Sequence, residues 1–182
     1  MTSTTDDARN LTPDASTFRH ELPRLIAHLI PPFAVAAVGG RTTVESVRTW
    51  YPRLEKPPFS PPNAIFGPIW SLLYLLMGIA DWRVAQADDD ALASAERRDA
   101  IAGAQRIYRI QLVLNALWTW LFFGRRSPLF ALVDILALWV AIVLTIIRFR
   151  KVSRLAAALL LPYLAWTTFA TALNIEIWRR NR

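Results

Sequence analysis

Five apolar runs, each close to the ~20 residues that a helix needs to cross a bilayer core, set what this 182-residue chain can fold into. They cover 22–40, 65–84, 105–123, 128–147 and 155–178. A soluble domain can bury one helix that is apolar all round, but five would outrun the polar chain needed to cover them. Only 19% of the residues are charged, against 54% hydrophobic, so no such coat exists. The sequence therefore predicts an all-α, polytopic membrane protein, a bundle of five transmembrane helices embedded in lipid as an integral, multi-pass protein. The connections 124–127 and 148–154 are short, which makes the helices they join antiparallel neighbours. An odd number of spans puts the two termini on opposite sides.

Residues 22–182 form the expected membrane domain. Residues 1–21 are polar, carry Asp6, Asp7, Asp14 and Glu21, and lack the apolar segment of a signal peptide. They are expected to be a disordered tail, with a short surface helix as the alternative.

The charge balance is +7, with a pI near 10.7. A basic chain raises the question of nucleic acid. Here the arginines lie between apolar runs, as membrane-flanking charges do, so no nucleic-acid partner is expected. Eleven basic residues fall on the N-terminal side of the expected bundle and nine on the other, a difference too small to set its orientation. There is no cysteine, which excludes thiol catalysis, zinc-thiolate sites and iron–sulfur clusters. Two histidines are too few for a multi-histidine metal site, and no metal or required cofactor is expected.

Polar and aromatic residues inside the runs are spaced for one face. Trp70, Tyr74, Met77 and Asp81 step by 4, 3 and 4 along the second run; Gln111, Asn115, Trp118 and Phe122 do the same along the third. Trp166, Ala170, Leu173, Asn174 and Ile177 share a face of the fifth. If the stripes converge, they line a deep, flat-walled pocket with a few hydrogen-bonding groups, suited to a large, flat, lipophilic ligand. The alternative is plain helix packing, with Asn and Asp as interhelical glue. The spacing fits both.

Between the first two runs, residues 50–62 read WYPRLEKPPFSPP, with five prolines. Proline fixes φ and extends the residue before it, so this segment is stiff. Trp50, Tyr51, Arg53, Lys56 and Phe59 make it either a lid over the pocket or a rigid connector. Asp134, six residues into the fourth run, is expected to face the bundle, there to accept a hydrogen bond or pair with an arginine. Asp81 is expected to be solvated near a helix end, and Pro31 and Pro32 to kink the first helix. Residues 85–104 are expected to be a solvated loop or a helical extension. The chain has no Walker loop, GxSxG or HExxH pattern and no evident internal repeat.

Three ordered motifs carry a resemblance. The first runs from Trp50-Tyr51 through Lys56-Pro57, Gly67-Pro68, Trp70 and Tyr74 to Met77-Gly78. The second is Asn115, Trp118, Phe122-Phe123-Gly124 and Ala131 to Asp134. The third is Pro162 to Trp166, Leu173-Asn174 and Trp178-Arg179. Over about residues 24–181 the chain resembles the TspO/MBR family, the translocator proteins or peripheral-type benzodiazepine receptors. The resemblance implies a five-helix membrane protein, often a homodimer, whose pocket beneath the loop after helix 1 binds porphyrins, heme and synthetic lipophiles. It carries pocket roles onto Trp70, Asn115, Trp118, Trp166, Ala170, Leu173 and Asn174. Phe130 stands where mammalian members have a pocket tryptophan. Ile175 replaces the tyrosine of the animal cholesterol motif, which argues against a cholesterol role.

The function implied is a tetrapyrrole-binding membrane sensor or regulator of tetrapyrrole and stress responses. The alternatives are a light-dependent porphyrin-degrading enzyme, with Trp70 and Trp166 as its catalytic residues, and a transporter of porphyrins or other lipophiles.

Overall fold

The computed structural model describes residues 15–87 and 94–182, with side chains from Glu21 onward except that of Arg41. The elements are helices throughout: α1 (Ala15–Thr49), α2 (Asn63–Gln86), α3 (Ala95–Thr119), α4 (Pro128–Val152), α5 (Arg154–Leu159) and α6 (Leu161–Arg180). A 3₁₀ turn, Tyr51–Arg53, follows α1, and a π-helical turn, Trp120–Gly124, prolongs α3. No strand occurs among the described residues.

The helix ends follow from local chemistry. Ser94 caps α3, its hydroxyl accepting from the Arg97 amide at 3.3 Å, and Glu96 complements the positive end of the helix. Pro128 opens α4, where its missing N–H costs nothing. Ser153 caps α5 through the Ala156 amide at 3.2 Å. The fifth run breaks at Leu160 because Pro162 has no N–H for the carbonyl of Ala158, and α6 restarts one residue on.

Four segments are long and apolar enough to span a membrane: Glu21–Thr49, Asn63–Gln86, Pro128–Val152 and Arg154–Arg180. The third expected run does not meet that standard, because Arg106, Arg109, Gln111 and Asn115 dilute it. It still sits in the bundle, packed along α4 and against α1, with Gln111 and Asn115 buried.

Helix α1 is longer than the expected 22–40 at both ends and runs through Pro31 and Pro32 without a break. Its added C-terminal turns are held by the buried Ser46, whose hydroxyl donates to the Phe123 carbonyl. Residues 1–14 of the expected tail lie outside the described residues. Between α2 and α3 the described part of 85–104 is largely helical extension.

Helices α1 and α2 approach closely at Gly78. A Cβ there would fall 2.5 Å from Leu29 Cδ2 and 3.1 Å from the His28 carbonyl oxygen. Asp81, one turn on, is not solvated as expected. It is 7% exposed, and its Oδ2 lies 2.5 Å from His28 Nδ1. At the other end of the bundle, Asn181 exchanges two 3.0 Å hydrogen bonds with the backbone of Glu55. The carboxy end of α6 thus lies beside the loop after α1, at the end opposite the start of α1.

Candidate functional site

The three stripes converge. From α3 to α2, four rings stack in series: Phe122 on Trp118 (5.4 Å, 22°), Trp118 on Trp70 (6.5 Å, 28°) and Trp70 on Tyr74 (5.3 Å, 29°). Opposite them, α6 presents Trp166 and Phe169, 5.5 Å apart, with Phe66 of α2 edge-on to Trp166 at 5.9 Å. Between the two walls lies a cavity lined by Tyr51, Phe66, Trp70, Trp118, Phe122, Phe123, Trp166, Phe169, Ala170, Leu173, Asn174 and Ile177.

That cavity is nearly shut. Its volume is about 30 Å³, room for about two water molecules and far too little for a flat ring system. The walls must separate before a flat ligand can enter.

A framework of hydrogen bonds fixes the walls. Asn115, fully buried, accepts from the Tyr74 hydroxyl and donates to the Tyr163 hydroxyl, both at 2.9 Å. Trp118 Nε1 donates to Asn174 Oδ1 at 3.2 Å, and Asn174 Nδ2 donates to the Pro128 carbonyl at 2.8 Å. One amide thus joins α2, α3 and α6, and the other joins α3, α6 and the start of α4. Asn115 lies behind the cavity rather than on it. Asp134 is buried as expected, but its Oδ2 has no hydrogen-bond partner and no arginine pairs with it among the described residues.

The loop closes the mouth. Trp50 packs edge-on to Phe122 at 5.6 Å, and Phe59 meets Phe169 at 6.2 Å. Tyr51 is 3% exposed and reaches the cavity; burial pushes its phenol pKa up. Lys56 bonds the carbonyls of Tyr51 (3.0 Å), Pro52 (3.4 Å) and Leu54 (3.2 Å), and its ammonium sits 5.0 Å from the centre of the Tyr51 ring. It ties off the 3₁₀ turn and is occupied. Arg53 is the exposed cation of the loop.

Of the expected site residues, Trp70, Trp118, Phe122, Trp166, Ala170, Leu173, Asn174 and Tyr51 border the cavity. Phe130 does not. It is 64% exposed, because Ala131, Asp134 and Ile135 take the inward face of α4. Tyr74 lines a second cleft instead, about 280 Å³, between α1 and α2 at Ala36, Gly39, Gly67 and Trp70. Ile177 of the third stripe also lines the aromatic cavity, whereas Phe66, Phe123 and Phe169 are lining residues that the stripes did not single out. Phe66 stands four before Trp70 and Phe169 three after Trp166, so helical spacing contained them. Phe123 reaches the cavity beside Phe122, the two rings 4.9 Å apart, where the chain follows the π turn.

The sequence carries the same arrangement into a known group. The model of the TspO/MBR family matches residues 28–179. This chain belongs to the TspO/MBR family. It is 42% identical over 161 residues to the tryptophan-rich protein TspO of Archaeoglobus fulgidus, covering 87% of this chain and 97% of that one. It is 39% identical over 144 residues to the human translocator protein, covering 79% and 82%. It is 37% identical over 132 residues to the tryptophan-rich sensory protein of Cereibacter sphaeroides, covering 72% and 77%. As a TspO/MBR protein it is an integral, multi-pass membrane protein.

Proposed function

We propose that this protein is a membrane sensor that binds a tetrapyrrole, porphyrin or heme, between the Trp70–Trp118 wall and the Trp166–Phe169 wall. The observation that carries the reading is the facing pair of aromatic walls beneath a stiff lid. The stacked rings of one wall and the tilted pair of the other offer a flat conjugated ligand aromatic surface and little that is polar. Tyr51, whose buried hydroxyl has no partner, supplies an orienting group. Arg53, exposed on the lid with Lys56 already occupied, is the cation for a propionate at the rim. The closed cavity makes binding a conformational event, in which the ligand draws on an opened minor state. A sensory role follows naturally, because binding changes how α2, α3 and α6 pack.

The test is a titration of detergent-purified protein with protoporphyrin IX in the dark, following tryptophan quenching, with Trp166→Phe alongside. Saturable binding that weakens in the variant is expected. Absence of saturable quenching, or an unchanged affinity in Trp70→Leu/Trp166→Leu, would refute the placement.

Light-dependent degradation of the porphyrin is a second reading, favoured by two indoles bordering the cavity. Aerobic illumination should then bleach the Soret band faster than free porphyrin bleaches, and Trp166→Phe should abolish the difference.

A further inference from the structure

Helix α3 carries two arginines on its outer face, Arg106 and Arg109, both exposed. They border a surface groove of about 490 Å³ whose apolar part is Ile110, Val113 and Leu114. No carboxylate pairs with either arginine among the described residues. The acidic residues on the described part of their own helix are Glu96 and Asp99, the nearer lying seven residues before Arg106, about 10 Å along the axis.

The depth of the pair follows from α4. A Cβ on Gly103 would lie 3.4 Å from the Arg148 guanidinium, so the charge of Arg148 lies at the level of residue 103. Arg148, Arg150, Lys151 and Arg154 form the basic end of the bundle at that level. Arg106 stands about 4.5 Å further into the bundle and Arg109 about 9 Å. Their Cα positions are thus set below the basic collar, on a face that meets lipid. Side chains on a helix lean toward its N-terminus, so both guanidinium groups reach back toward the collar. The apolar surface below them continues with exposed Val113, Leu117 and Trp120.

We infer that this face of α3 is a binding site for an acidic phospholipid. Arg106 and Arg109 hold the headgroup phosphate, and an acyl chain lies along Ile110, Val113 and Leu117. Charge complementarity selects this occupant: two exposed arginines with no carboxylate partner among the described residues border an apolar groove at the collar, and acidic lipid is the anion a bilayer supplies there. A second copy of the chain docked symmetrically on this face would bring two like-charged pairs together. The site is separate from the aromatic cavity and does not rest on the tetrapyrrole reading.

The experiment is native mass spectrometry of the full chain released from mixed vesicles of phosphatidylglycerol and phosphatidylcholine, in parallel with a lysine-for-arginine variant (R106K/R109K) and R106Q/R109Q. Wild type should retain phosphatidylglycerol over phosphatidylcholine. R106K/R109K should keep most of that preference, and R106Q/R109Q should reduce it about tenfold or more. Both variants change exposed side chains, and a matched melting temperature shows that they fold. Equal retention by R106Q/R109Q and wild type overturns the inference. So does retention of inorganic phosphate as strongly as phosphatidylglycerol, or loss of a dimer rather than of lipid in R106Q/R109Q.

Discussion

His28 Nδ1 and Asp81 Oδ2 meet at 2.5 Å across the seam between α1 and α2, and the other carboxylate oxygen of Asp81 is buried without a partner. The imidazole is therefore what holds this acidic group inside the bundle. The residue next to His28, Leu29, touches Gly78, which lies three before Asp81 on α2. The clasp and the closest helix approach are one local structure.

His28→Ala leaves a buried carboxylate unpaired. It should lower unfolding stability by about 2–4 kcal/mol. Asp81→Asn, which removes the charge as well, should cost less. Thermal unfolding in detergent, arranged as a double-mutant cycle, reads the coupling. A coupling near zero would mean that the pair contributes nothing.

Gly78→Ala forces a methyl group into Leu29 and the α1 backbone. A loss of about 1–3 kcal/mol is expected. Gly67 has open space where its Cβ would stand, so Gly67→Ala should be neutral or slightly stabilising, since glycine costs about 0.5–1 kcal/mol against alanine in a helix. Melting temperatures of the two variants should separate clearly.

Asn115→Ala strips one partner from each of two buried tyrosine hydroxyls. A loss of about 2–4 kcal/mol is expected. Because Asn115 lies behind the cavity, the main effect should be on unfolding, with only an indirect effect on ligand affinity. An affinity loss with unchanged stability would contradict this assignment.

The Tyr51 phenol, raised above its ordinary value by burial, gives the lid an alkaline limit. For a group whose folded pKa is raised, its contribution is complete below the unfolded value of about 10. It is lost as pH rises through the higher folded value, because the unfolded or opened state then releases the proton first. The lid should loosen above pH ~10. Tyr51→Phe should remove that dependence at little cost at neutral pH, because the hydroxyl is buried with no partner. Hydrogen exchange of the 54–56 amides against pH checks both statements.

Much of this was legible in advance, for identifiable reasons. Transmembrane helices declare themselves by long apolar runs, and one-face spacing was enough to bring Trp70, Trp118, Trp166, Leu173 and Asn174 together. Four features were not legible. The bounds of α1 were hidden because its last turns are amphipathic rather than apolar, and Ser46 gains its meaning only from a carbonyl 77 residues away. The outward turn of Phe130 depends on which neighbour on α4 takes the core, and at the start of a helix one residue of rotation decides that. The near-closure of the cavity depends on ring tilts, which spacing does not encode. Asp81 read as solvated because its partner, His28, lies 53 positions away and fits no metal or catalytic pattern.

Asn181, just past α6, holds the lid backbone at Glu55, so the end of that helix works as a latch. An affinity tag or reporter fused after Arg182 begins beside that latch and pulls on the mouth of the cavity. A reporter attached at the start of α1 sits at the far end of the bundle and leaves the lid alone. Ligand on- and off-rates measured with the two fusions should differ even where the untagged affinity is the same for both preparations. The choice of tagged end is thus itself a perturbation of the gate.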